Sequence, residues 1–81
     1  MSKRLLVGNL PLSATEADLR SKFAKFGAVA SATITQDAQT GRSKRSGLVE
    51  MTNDAEARNA ISRLNMTQYE DTIMSVREAP A

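Results

Sequence analysis

Cysteine, histidine and tryptophan are all missing from these 81 residues. Without Cys there is no disulfide, no thiolate nucleophile and no Cys-x-x-Cys metal loop; without His the usual general base and most zinc sites go as well. Aromatic rings are scarce, with two Phe and one Tyr. Long apolar runs are missing too. No purely apolar run exceeds Leu5-Leu6-Val7, far short of the roughly 20 residues that cross a bilayer, and no charged-then-apolar leader opens the chain. The expected setting is the cytoplasm or another reducing intracellular compartment, away from membranes. Catalysis is not expected either. Glu50 stands alone on a predicted strand with no partner acid or nucleophile at a defined spacing, so neither cofactor nor metal is implied.

What is present suits one small folded unit. Hydrophobic residues supply 41% of the chain and charged residues 25%, a balance that argues against wholesale disorder. With no Pro/Gly/Ser-rich linker and no break in composition, residues 1–81 are read as a single domain with its core at about 3–79. Eleven Lys and Arg against nine Asp and Glu give a net charge of +2, so the placement of the cations matters more than their sum. The most telling stretch begins at Arg42, where Arg42, Lys44 and Arg45 lead directly into Ser46-Gly47-Leu48-Val49-Glu50-Met51. Strand side chains alternate, so Gly47, Val49 and Met51 share one face and Ser46, Leu48 and Glu50 the other. This predicts a basic loop over 42–45 feeding a strand over 46–51.

Upstream, Leu5-Leu6-Val7-Gly8-Asn9 predicts a strand over about 4–9, closed by Pro11, with Leu5 and Val7 on one face and Leu6 and Gly8 on the other. Asn9 is read as an Asx acceptor that completes the turn. Thr15 with Asp18 three residues later resembles a capping box, and Leu19, Phe23 and Phe26 recur at helical spacing. That predicts a helix running to about Phe26 and stopped at Gly27. A second strand is expected over 28–35, with Ala32 and Ile34 facing the core and Thr33 and Thr35 away from it. Asp37 to Gly41 reads as a turn. Asn53 with Glu56 suggests another cap, and Ala57, Ala60, Ile61 and Leu64 form a second helical stripe. A loop holding Tyr69 then leads to a last strand over 73–77, with Met74 and Val76 inward.

The order is strand, helix, strand, strand, helix, strand. Two interleaved crossover units of this kind give an α+β, ferredoxin-like βαββαβ sandwich: a four-stranded antiparallel sheet with two helices packed on one face. The other face is left to solvent. By strand parity it collects Leu6, Gly8, Thr33, Thr35, Ser46, Leu48, Glu50, Ile73, Ser75 and Arg77. Sorted by place, Lys3, Arg4, Arg42, Lys44, Arg45 and Arg77 lie on the sheet or its basic loop, against Asp37, Glu50 and Glu78. The positive excess therefore sits on the sheet side.

The hexamer Leu5-Leu6-Val7-Gly8-Asn9-Leu10 and the octamer Lys44-Arg45-Ser46-Gly47-Leu48-Val49-Glu50-Met51 resemble the two signature motifs of RNA recognition motif domains. Thr15-Glu16-Ala17-Asp18-Leu19, Phe26-Gly27 and Ala60-Ile61 fit the flanking pattern. The chain looks like the small single-domain type of bacteria and organelles, from about Lys3 to Ala79. The resemblance implies the fold just derived and binding of single-stranded RNA on the open face, with Lys44, at the cationic first place of the octamer, meeting phosphate. It also implies three base-stacking aromatic residues, one at the second place of the hexamer and two at the third and fifth places of the octamer. Here those places hold Leu6, Ser46 and Leu48, and the glycine usual at the octamer's second place is Arg45.

Base–aromatic stacking is worth roughly 1–3 kcal/mol per base, so base stacking is expected to be weakened. Affinity should then come mainly from phosphate contacts by Arg42, Lys44 and Arg45, helped by the leucine surfaces and the Arg45 guanidinium plane. Lys3 and Arg77 complete the expected RNA-binding set. Arg77 enters because the corresponding end of the last strand often meets RNA in the family, unless Glu50 neutralises it across the sheet. The expected state is a monomer. A rival reading uses the same face differently, with Leu6, Leu48 and Ile73 forming an apolar patch for a protein partner or a second copy.

Overall fold

In the computed structural model, which describes residues 3–79 of the expected 1–81 domain, alternation in β1 (Lys3–Gly8) buries Leu5 and Val7 and leaves Leu6 half-exposed. The strand closes one residue earlier than predicted, because Asn9 takes a left-handed φ of 57°. Thr15 caps α1 (Glu16–Ala24) as its spacing predicts: its hydroxyl accepts from the Asp18 amide while the Asp18 carboxylate accepts from the Thr15 amide. The helix stops at Ala24 rather than Phe26. There the Phe26 N–H donates to the Phe23 carbonyl three residues back, at 3.0 Å, and tightens the chain out of the α-helical ladder. Phe23 is nonetheless fully buried, and Phe26 packs partly buried against the same core.

After β2 (Val29–Gln36), the Asp37 carboxylate accepts from the amides of Gln39 at 2.8 Å and Thr40 at 3.1 Å, and Gly41 turns the chain with a φ of 74°. β3 (Ser43–Met51) then begins three residues before the predicted start, so Lys44 and Arg45 belong to a strand and not to a loop. Their polarity hides the strand because they sit in a bulge. The register slips between Ile34 and Gln36, and Arg45 takes a φ of 62°. Further along β3, a Cβ on Gly47 would come within 2.6 Å of the Thr33 carbonyl oxygen and 3.1 Å of Leu19. The absence of a side chain is what lets β2, β3 and α1 close on one another there.

Asn53 caps α2 (Asp54–Leu64), its side chain accepting from the Glu56 amide at 2.9 Å. The expected Tyr69 loop contains a short strand instead. β4 (Thr67–Tyr69) pairs antiparallel with β5 (Thr72–Glu78), which is one residue longer at each end than predicted. Tyr69 is buried, and the Lys22 ammonium lies 4.3 Å from its ring centroid, which fixes α1 over this hairpin.

All pairs are antiparallel and the sheet order is β2-β3-β1-β5-β4. The fold is the expected ferredoxin-like α+β sandwich with one added edge strand. Leu5, Val7, Val49, Met51, Met74 and Val76 from the sheet meet Leu19, Phe23, Ala57 and Ala60 from the helices in one core. Burying such side chains is worth roughly 1.5–3 kcal/mol each. Among the described residues, no helix is long and apolar enough to cross a membrane.

Candidate nucleic-acid interface

Register decides which side chains are neighbours on the face opposite the helices. Thr33, Leu48, Leu6 and Arg77 form one transverse row on β2, β3, β1 and β5. The next row toward the start of β1 holds Ser31, Glu50 and Arg4. In the other direction, Gly8 opposes Ser75. Small side chains there leave a depression of about 320 Å³ lined by Leu6, Val7, Gly8, Ser46, Ser75 and Arg77. Of the three expected stacking places, Leu6 and Leu48 are therefore side by side, while Ser46 borders the hollow.

The rival patch is not assembled. Leu6 has Arg77 as its neighbour on β5, and Ile73 lies four residues further along that strand, about 13 Å away at strand rise. Ile73 is 45% exposed but stands apart from the two leucines, both of which are half-buried.

The cations are spread less evenly than composition implies. Lys3 shares the parity of Leu5 and Val7 and lies toward the helix side, not with the open-face residues. Its ammonium donates to Glu78 at 2.7 Å. That hydrogen bond, reinforced by charge attraction, raises the Lys3 pKa and lowers that of Glu78. Arg42, Lys44, Arg45 and Arg77 are exposed, as is Arg4. Arg77 is not placed beside Glu50. The register sets Glu50 opposite Arg4, one row and two strands from Arg77, a backbone separation of about 12 Å.

Arg45 has a structural task. Its Nε donates to the Leu10 carbonyl at 2.8 Å, and the Leu10 N–H donates back to the Arg45 carbonyl at 2.9 Å. The bulge in β3 is thereby tied to the connection after β1. Asn9 ties the same connection to β5, donating from Nδ2 to the Ile73 carbonyl at 2.8 Å; it is a donor across the sheet where an Asx acceptor was expected. Arg4 and the Gly8/Ser75 hollow are the features missing from the expected site. Strand parity and a charge count carried the signal for Arg4, but the hollow depends on a register the sequence does not display.

Comparison with known proteins agrees with this geometry. The family described as RNA recognition motif matches residues 5–75. RbpD of Nostoc sp., by its name a candidate RNA-binding protein, is 37% identical over 75 residues, covering 93% of this chain and 80% of that protein. The crystal structure of RNA Binding Protein PG1 superposes with a TM-score of 0.93 at 38% identity, over 95% of this chain and 93% of that one. A Sxl-lethal protein/RNA complex superposes with a TM-score of 0.89 at 35% identity, over 95% of this chain and 47% of that one. This chain belongs to the RNA recognition motif family.

Proposed function

We propose that this domain binds single-stranded RNA across its open sheet face, drawing phosphates to Arg4, Arg42, Lys44 and Arg77 and laying bases over Leu6, Leu48 and the hollow beside Ser46. One observation carries the reading: a helix-free sheet face bordered by exposed guanidinium and ammonium groups. Arg45 contributes less charge contact than Arg42 and Lys44 beside it, since its Nε is held by the Leu10 carbonyl. Lys3 is held by Glu78 and plays no part. Leucine offers a base an apolar surface without a π-face, so phosphate contacts dominate and base selectivity is weak. The domain acts as a monomer, and a cytoplasmic setting supplies the RNA.

Fluorescence anisotropy with short labelled single-stranded RNA tests this. Four phosphate contacts give a slope of log affinity against log salt of about −2.8, a loss of roughly 50-fold between 50 and 200 mM salt. Lys44→Ala should flatten that slope by about 0.7. Absence of binding at the lower salt refutes the proposal.

A further inference from the structure

Among the described residues the strands carry two acidic side chains, and the sheet keeps them apart. Glu78 is in register with Leu5 and shares its side, the helix side, where it meets Lys3. Glu50 stands opposite Arg4 on β1 and Ser31 on β2, in the row next to Leu6 and Leu48. It is therefore the one carboxylate that the described strands place on the open face, and it is half-buried there. A carboxylate repels phosphate. The group of an RNA strand that suits this row is a base edge that donates.

Glu50 lies two residues along β3 from Leu48, about 7 Å at strand rise, and diagonally across the ladder from Leu6, about 7–8 Å away. Ser46 and the hollow flank the same two leucines on the other side. A base lying over Leu6 and Leu48 thus has hydroxyls at one edge, where Ser46 and Ser75 each donate or accept. At the other it has a carboxylate, which only accepts. The first edge suits any base; the second does not. A carboxylate offers about four lone-pair sites, so the arginine opposite does not exhaust it.

We propose that Glu50 gives the open face a preference for guanine, accepting from the N1–H and N2–H of the base as a bidentate pair. The inference rests on the RNA-binding reading above and gives its weak selectivity a direction. Single-stranded bases are read on their exposed edges, and guanine is the base with two adjacent donors on its Watson–Crick edge. Uracil has one, N3–H, between two carbonyl oxygens that a carboxylate repels. Cytosine and adenine set an amino group beside a bare ring nitrogen. Bidentate, charge-assisted bonds are the strong ones. On a solvent-facing sheet the low end of bidentate base readout applies, about a fivefold preference over uracil.

Anisotropy titrations at low salt with three labelled oligomers test this: oligouridine, the same oligomer with one central guanine, and the same with inosine there, which lacks the N2 amino group. Wild type should bind the guanine oligomer about fivefold tighter than oligouridine, with inosine between them. Glu50→Gln should bring the three together, tightening oligouridine while weakening the guanine oligomer, because loss of the charge favours phosphate and breaks the bidentate pair. A merely structural change would move all three the same way. Glu50→Asp keeps the charge and should keep part of the preference. The inference is overturned, and the RNA-binding reading left standing, if wild type binds all three equally, if inosine matches guanine, or if Glu50→Gln retains the guanine preference. Binding of none of the three overturns both.

Discussion

Placing a phenylalanine at position 46 restores a stacking platform at one chosen point of the open face. Ser46 borders the hollow of about 320 Å³ beside Gly8 and Ser75, so an added ring has room over those small residues, with Leu6 and Arg77 at the sides to rest against. A ring there offers one base the surface it now lacks, worth roughly 1–3 kcal/mol, or an affinity gain of about 5- to 150-fold. The cations are untouched. The slope against salt should therefore stay near the wild-type value while the binding curves shift in parallel, because stacking releases no counterions. Anisotropy titrations of Ser46→Phe at two salt concentrations, with circular dichroism to check the fold, read both quantities. Ser62→Phe, which adds a ring to the exposed surface of α2, serves as the control and should leave affinity unchanged. Unchanged affinity in folded Ser46→Phe refutes the base path across the hollow, and a steeper salt slope refutes the division between phosphate and base contacts.

Two further outcomes follow from ties described above. Arg45→Ala removes the charge-assisted bond to the Leu10 carbonyl and should lower the unfolding free energy by about 1–2 kcal/mol, seen as a lower urea midpoint; Arg45→Gly should recover part of this by relieving the positive φ. Glu78→Gln should return the Lys3 pKa toward its ordinary 10.5, measured by NMR titration of the Lys3 side chain. The sign is set by both partners. The lowered Glu78 carboxyl favours folding above its ordinary 4.5 and loses that contribution as pH falls through the lowered value; the raised Lys3 ammonium favours folding below 10.5 and loses it as pH rises through the raised value. The variant should therefore show flatter stability at both extremes.

The parts of this fold visible in the sequence are those set by local periodicity. Leu5/Val7, Val49/Met51 and Met74/Val76 announce three strands and their buried faces, and Thr15 and Asn53 announce both helix starts, because each signal spans a few residues. Thr67-Gln68-Tyr69 is too short to show alternation, so β4 was expected as a loop. Lys44-Arg45 reads as a loop because polarity masks a bulged strand. Contacts between distant positions were out of reach altogether: Lys3 with Glu78, and Arg45 with Leu10, depend on a register that only the assembled sheet defines. The same holds for the site. Family likeness locates Leu6, Ser46 and Leu48, but the placing of Arg77 beside Leu6, and of Ile73 away from it, comes from how β1 and β5 align.

The turn after β1 is bolted on two sides, to β5 through Asn9 and to β3 through Arg45. Gly8 ends the strand just before these anchors, so the rim of the hollow is held from two sides. A mould fixed in advance spends little ordering entropy on its occupant. For the bases proposed to lie there, that saving is shared alike and adds hold without adding choice.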